Sequence, residues 1–143
     1  MSCAIALGCG SKPMTGEDPK VTSLGTVEVT AKLVDIKGEF PPNDLYDYAF
    51  VMKYEVLKTQ RGKTEGTTIY VGHYNPLKPR TGVADARSGE VGGNITSFKV
   101  GDIHRMALAS PIDEQFMGGI VNPYEGSVSG PIYWALWTNA ATE

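Results

Sequence analysis

The fold of this chain is indicated most strongly by one stretch, Tyr48-Ala-Phe-Val-Met-Lys-Tyr-Glu-Val-Leu-Lys58. Alternate positions in this stretch are aromatic or apolar, whereas Lys53 and Glu55 lie between them. A period of two is typical of a strand with one buried face, and aromatic and β-branched residues suit a pleated surface. The stretch therefore predicts a β-strand over residues 48–58.

The same alternation recurs on both sides of this strand. A turn with two glycines at 61–66 is followed by a second alternating run at 67–74, which predicts an antiparallel hairpin. Further strands are predicted at 27–33, at 103–110 with His104, Met106 and Leu108 facing inward, and at 132–138 with Ile132, Trp134 and Leu136 facing inward. One short helix can form at 113–117.

Five or six short strands with almost no helix favour a closed arrangement, because closure removes unpaired strand edges. The sequence therefore predicts an all-β fold, a small five- to six-stranded antiparallel OB-like barrel with at most one short helix. The barrel is expected to form a single domain over residues 25–143, a length sufficient to bury one core.

The order of strands and turns resembles that of netrin-like domains and of the inhibitory domain of tissue inhibitors of metalloproteinases. The resemblance rests on 30–34, on 54–58 with the Arg61-Gly62 turn, on 68–71, and on Gly101-Asp102 before 106–108. It implies an OB-fold barrel. It does not imply protease inhibition, because those inhibitors hold the protease zinc through an N-terminal Cys-any-Cys, whereas Cys9 is followed by Gly10-Ser11.

The first dozen residues, Met1-Ser-Cys-Ala-Ile-Ala-Leu-Gly-Cys-Gly-Ser-Lys12, resemble the end of a bacterial lipoprotein signal peptide. The resemblance implies that residues 1–9 are a signal remnant and that Cys9 is acylated. It places the protein in the bacterial cell envelope, extracytoplasmic and bound to the lipid bilayer through Cys9. Residues 10–24 are rich in Gly, Pro, Ser and Thr, and they are expected to form a flexible tether.

A secretory signal has a basic start and an apolar stretch of about 7 to 15 residues. Since no Lys or Arg precedes Cys9, the basic region is expected to lie upstream of Met1. The alternative is an unstructured N-terminus with two incidental thiols, Cys3 and Cys9. A metal or redox pair is disfavoured, because the five-residue gap between the two cysteines fits none of the usual spacings.

Composition excludes some partners. A net charge of −3 lacks the basic footprint of nucleic-acid binding. No apolar run approaches the roughly 20 residues that span a bilayer, so membrane association is expected only through the lipid.

Two histidines are candidates for chemistry. His73 ends the third predicted strand and His104 begins the fourth, and either could work with Asp85 or Asp102 in a metal or acid–base site. Nothing in the spacing requires such a site. We expect both histidines to hydrogen-bond loop backbone at strand ends, and we expect no metal and no cofactor.

The loop at 75–100 is the main candidate for ligand contact, because loops of roughly 25 residues in a compact domain are usually functional or disordered. Its alternative role is a flap over the barrel end. Tyr70, Tyr74, Tyr133 and Trp137 are predicted to face outward, where aromatics bind sugars or proteins or pack under the loop. The predicted binding residues are His73, Tyr74, Arg80, Arg87, Tyr133 and Trp137.

These observations favour a membrane-anchored, non-enzymatic binding or scaffold module that contacts a protein or a polysaccharide. Two alternatives stay open. One is a structural envelope protein that associates with itself, and the other is a small enzyme that uses His73 or His104.

Overall fold

The structure is a computed structural model that describes residues 14–44 and 46–142. Its strands in chain order are β1 (Val27–Asp35), β2 (Tyr48–Arg61), β3 (Thr68–Tyr74), β4 (Gly92–Gly93), β5 (Ile103–Ala109), β6 (Gly119–Val121) and β7 (Ile132–Ala140). Helical structure in this part of the chain is limited to a 3-10 turn at Arg80–Gly82 and a single turn, α1, at Ile112–Gln115. The predicted all-β, OB-like fold is confirmed.

Five of the strands close into a barrel. The order around the barrel is β1, β2, β3, β7 and β5, and β5 pairs with β1 to complete the ring. Neighbouring strands are antiparallel except β3 and β7, which run parallel. Outside the ring, β4 pairs with β7 and β6 pairs with β2, both in parallel.

β1 curves so that it reaches both of its neighbours. Its register against β2 shifts at several points along its length, and such bulges bend a strand and increase its twist. The interior of the barrel is filled by Val27, Val29, Ala31 and Leu33 from β1, by Tyr48, Phe50, Met52 and Tyr54 from β2, and by Ile69, Val71, Met106 and Leu108 from β3 and β5. The inward faces predicted for these strands are therefore the observed ones.

The inward face of β7 is the opposite of the predicted one. Tyr133 and Ala135 point into the barrel, whereas Trp134 packs outside it in a second apolar cluster. This cluster consists of Ala49, Tyr74, Val83, Val91, Ile112, Phe116 and Trp134. The predicted orientation is wrong because both faces of β7 are apolar and both are covered, so alternation alone does not show which face lies inside.

The sequence does not predict β4 and β6, because these strands are too short to show an alternation of apolar and polar residues. β4 consists of two glycines that pass close to β7. A Cβ on Gly92 would lie 2.5 Å from the Trp137 ring, and Gly93 has a φ of 139°, a conformation that favours glycine. β6 has three residues beside the start of β2.

Residues 14–24 pack on the barrel, unlike the flexible tether that their composition indicates. The Asp18 carboxylate accepts hydrogen bonds from the indole N–H of Trp137 at 2.9 Å and from the side-chain amide of Asn139 at 2.7 Å. It also accepts backbone hydrogen bonds from Lys20 and Val21. The hydrogen bonds of Asp18 to Trp137 and Asn139 therefore hold residues 14–24 against β7.

A buried carboxylate fixes the point where this segment joins β1. Glu28 is only 2% exposed, and it accepts hydrogen bonds from Arg61 at 2.9 Å and from Arg105 at 2.7 Å. The two guanidinium groups also donate to backbone carbonyls of the N-terminal segment, namely those of Thr15, Val21, Leu24 and Gly25. Charge-assisted bonds of this kind are stronger than neutral ones.

In the part of the chain that the structure describes, no helix is long and apolar enough to cross a membrane. The predicted lipid attachment site, Cys9, lies outside the described residues.

We expect Glu28→Gln to lower the free energy of unfolding by about 3 kcal/mol, because two guanidinium groups lose their buried counter-charge. Urea denaturation measures this loss, and trypsin is expected to cut faster after Lys20. The matched control is Glu125→Gln at an exposed position, which is expected to change stability by less than about 0.5 kcal/mol. An equally small change for Glu28→Gln would contradict the prediction.

Candidate functional site

The outer face of β2 and β3 carries a compact group of polar and aromatic side chains. Lys53 lies opposite Tyr70, and Glu55 lies opposite Thr68. The hydroxyl of Thr68 donates to the Glu55 carboxylate at 2.9 Å. The alternate residues of both strands point inward and fill the barrel core. These four outward side chains are therefore available to a ligand on this part of the surface.

A second tyrosine packs against the ring of Tyr70. The ring of Tyr124 lies 5.1 Å from the Tyr70 ring at an angle of 58°. Tyr124 is buried, and its hydroxyl donates to the Asp35 carboxylate at 2.6 Å. Burial raises the pKa of Tyr124 above its usual value, and the hydrogen bond to Asp35 adds to the shift, so the phenol stays protonated. Tyr70 is therefore half-buried on a fixed support.

A depression of about 370 Å³ lies beside Tyr70. It is lined by Glu65, Gly66, Thr67, Thr68, Tyr70, Ser127 and Ser129. An aromatic ring, a carboxylate and several hydroxyls thus face one space. Aromatic rings pack against apolar C–H faces, and hydroxyls and carboxylates exchange hydrogen bonds with a hydroxylated ligand.

A polar cluster lies inside the barrel around the hydroxyl of Tyr54. This oxygen is 2.9 Å from Nε2 of His73 and 2.9 Å from Nδ1 of His104. Phe98 covers both imidazoles, with ring centroids 4.4 Å and 5.8 Å away, respectively. The expectation that the histidines bond loop backbone is wrong, because the barrel places a tyrosine hydroxyl between them.

Burial keeps this cluster uncharged at neutral pH. It lowers the pKa of His73 well below its usual value, and the positive charge of Arg80 adds to the shift. It lowers the pKa of His104 to about 4, although Asp102 opposes the change. It also raises the pKa of Tyr54 well above its usual value. The cluster therefore consists of two neutral imidazoles bridged by a phenol.

His73 and Arg80, two predicted binding residues, lie beneath the long loop. His73 is fully buried, and Arg80 is 2% exposed. The Arg80 guanidinium donates to the carbonyls of Asn75 at 2.8 Å and Lys78 at 3.0 Å, and it lies 5.1 Å from the Phe98 ring. Burial lowers the pKa of Arg80 to about 10, so it remains positively charged at neutral pH. Neither side chain is placed to meet a ligand on the surface.

Tyr74 and Arg87 lie at different depths of the same loop. Tyr74 is fully buried in the second apolar cluster, and its hydroxyl donates to Asp85 at 2.9 Å. The loop thus packs over Tyr74, as the alternative to an exposed binding role predicts for this residue. Arg87 is exposed and lines a depression of about 290 Å³ with Glu90 and Gln115.

Tyr133 and Trp137 lie on opposite faces of β7. Tyr133 points into the barrel, and its hydroxyl accepts a hydrogen bond from the backbone N–H of Glu65 at 3.2 Å. The outward prediction is therefore wrong for Tyr133. Trp137 does face outward, but the N-terminal segment covers it through Asp18. The six predicted binding residues therefore do not converge on one site.

No group of three or more His, Cys, Asp or Glu side chains arranged to hold a metal ion occurs within residues 14–44 and 46–142.

Comparison with protein families, with curated proteins and with solved structures gives no significant match.

The sequence alone does not single out two residues that the structure shows to be important, Tyr54 and Tyr124. Tyr54 is predicted as a core residue, but its hydroxyl needs a buried partner, and the inward positions of His73 and His104 on other strands are the signal that could have found one. Tyr124 lies in a segment without periodicity, and nothing local shows that it packs against Tyr70.

The buried histidines predict how stability depends on pH. An unfolded histidine binds a proton near pH 6.5, whereas folded His104 does so only near about 4. The stability contributed by His104 is therefore fully present above about pH 6.5 and falls by about 3 kcal/mol as the pH drops toward 4. His73 adds a loss that begins in the same range, because its unfolded imidazole also protonates near pH 6.5, and that continues at lower pH. Urea denaturation between these pH values measures the loss.

Asp18 and Asp85 do not obscure this pH window. Burial alone would raise the pKa of Asp18 and Asp85, but hydrogen bonds to their carboxylates lower both below the usual 3.8, so their contribution is lost only in stronger acid. The chain has two histidines, so both imidazoles can be followed by NMR. An imidazole that titrates near pH 6.5 in the folded protein would refute the assignment.

Proposed function

We propose that the protein is a non-enzymatic binding module that holds a polysaccharide against the outer face of β2 and β3. The observation that carries the proposal is Tyr70, a half-buried ring fixed by Tyr124 and bordered by the hydroxyls and the carboxylate of the adjacent depression. In OB folds, the face of strands 2 and 3 is the place where oligosaccharides and oligonucleotides bind.

The local charge favours a neutral polymer over a polyanion. Lys53 and Glu55 lie next to each other on β2, and Glu65 lines the depression. Opposite charges at this spacing cancel over a short distance, whereas nucleic-acid binding depends on a concentrated basic surface. A sugar polymer offers hydroxyls to these groups and an apolar ring face to Tyr70.

The burial of the histidines supports a binding role over catalysis. His73 is fully buried beneath Phe98, out of reach of a substrate. Burial lowers the pKa of His104 to about 4, so this imidazole is a weak base at neutral pH. Each imidazole uses one of its nitrogens on Tyr54. A general base has to come within hydrogen-bond reach of its substrate.

The proposal includes attachment to the bacterial envelope through acylated Cys9. Met14 is hydrogen-bonded to Thr142 at the surface of the barrel. Five residues from Cys9 to Met14 span at most about 18 Å. An acylated Cys9 would therefore hold the barrel close to the bilayer, where envelope polysaccharides are its nearest partners. We propose the kinship with netrin-like domains for the barrel alone, without protease inhibition.

Sedimentation with insoluble polysaccharides tests the binding site. We expect the wild-type protein to pellet with a neutral glycan and Tyr70→Ala to bind it about tenfold more weakly, because the stacking surface is lost. Tyr70→Phe keeps the ring and is expected to bind nearly as well as wild type. Tyr46→Ala, which removes an exposed aromatic ring elsewhere, is the control.

Two results would count against this site. One is unchanged binding by Tyr70→Ala. The other is a protein that pellets with none of the glycans and forms oligomers in analytical ultracentrifugation, which would favour the self-associating envelope protein.

Intact mass tests the anchor. We expect the protein from bacterial membranes to begin at Cys9 and to carry acyl chains, since several chains are needed for firm attachment. Globomycin, which blocks lipoprotein signal cleavage, is expected to leave a longer precursor. Cys9→Ser is expected to move the protein to the soluble fraction. An unmodified Cys9 in the membrane-associated protein would contradict the anchor.

A further inference from the structure

A second concave site lies at the end of the barrel, formed by the last part of the long loop and by the ends of β5 and β7. Its volume is about 350 Å³, which is within the range of small-ligand pockets. It is lined by Asn94, Ile95, Thr96, Ser97, Lys99, Asp102, Ile103, His104, Ala140 and Ala141.

His104 is the buried polar group of this cavity. The imidazole is 1% exposed, and its Nε2 has no hydrogen-bond partner among the described residues. Asp102 is the nearest charged group, with Oδ2 at 3.8 Å from Nε2, beyond hydrogen-bond distance. A buried polar atom without a partner is costly, so this nitrogen is a strong candidate for ligand contact.

Asp102 and the polar cluster inside the barrel together favour one tautomer of His104. The phenol of Tyr54 has a single proton for two imidazoles, so it donates to one and accepts from the other. The Asp102 carboxylate favours a proton on Nε2 of His104. Tyr54 then donates to Nδ1 of His104 and accepts from Nε2 of His73. His73 thus completes the series of hydrogen bonds that this tautomer of His104 requires.

We propose that this cavity binds one polyol or sugar unit, with a ligand hydroxyl seated between Nε2 of His104 and Oδ2 of Asp102. A group between these two atoms has to accept a hydrogen bond from Nε2–H and donate one to the carboxylate. A hydroxyl group does both with a single oxygen atom. A ligand carboxylate would be repelled by Asp102, and an ammonium group cannot accept from Nε2–H. Ile103, Ala140 and Ala141 provide apolar surface for the C–H groups of the ligand.

The site is separate from the outer face of β2 and β3. Leu33 of β1 exchanges backbone hydrogen bonds with Gly101 and Asp102 beside the cavity, whereas Asp35 bonds Tyr124 beside the outer face. The end of β1 thus lies between the two sites. The inference does not depend on polysaccharide binding at Tyr70.

NMR titration of the full chain with D-glucose and with D-glucitol tests the proposal, and sodium acetate serves as the negative probe. We expect the Nε2–H signal of His104 to shift with millimolar glucose or glucitol and not with acetate. Asp102→Asn is expected to weaken binding about tenfold, because a hydrogen bond to a charged group is lost. Asp113→Asn, at an exposed position on α1, is the matched control and is expected to bind as wild type.

Asp102 also accepts a hydrogen bond from the backbone N–H of Lys99, so the variant is checked for folding by its amide spectrum. If it does not fold, saturation transfer from the methyl groups of Ala140 and Ala141 to glucose in the wild-type protein decides the question. Absence of both the His104 shift and saturation transfer overturns the proposal, as does equal affinity in folded Asp102→Asn. Tyr70→Ala is expected to leave the His104 shift intact. The proposal for this cavity and the proposal for the polysaccharide site can therefore be refuted separately.

Discussion

β1 forms backbone hydrogen bonds with β2 along one edge and with β5 along the other, and this double pairing closes the barrel. Closure encloses the side chains of five strands in one interior and leaves no open edge in the ring. It also determines which distant residues meet. Tyr54 on β2, His73 on β3 and His104 on β5 come together because their strands surround the same core. Every polar feature beneath the barrel end depends on this arrangement.

A polar cluster in an apolar interior is stable only when its members satisfy each other. Two imidazoles and a phenol share the available protons, and burial keeps all three uncharged at neutral pH. The positive charge of Arg80 is kept nearby by loop carbonyls and by Phe98. The long loop therefore does more than cover the barrel end, because it supplies the ring that seals the cluster and a wall of the cavity above it.

The surface around the barrel divides into regions with different roles. Glu28 with its two arginines and Asp18 with Trp137 attach the N-terminal segment to one side. The second apolar cluster attaches the loop and α1 to another. The outer face of β2 and β3 and the barrel end stay accessible, and each combines hydroxyls, a carboxylate and apolar surface. Neutral, hydroxyl-rich ligands are what we propose for both accessible regions.

The sequence by itself determined the strands of the barrel and most of their inward faces, because alternation is a local property that each strand carries alone. It also identified the long loop, His73 and His104 as notable. Only the tertiary structure decided that β7 turns Tyr133 inward, that Arg80 and Tyr74 are buried, and that residues 14–24 pack on the barrel. These outcomes depend on which segments cover a given face, and coverage arises from residues far apart in the chain. Tyr54 shows the limit most clearly, since its partners lie 19 and 50 positions away.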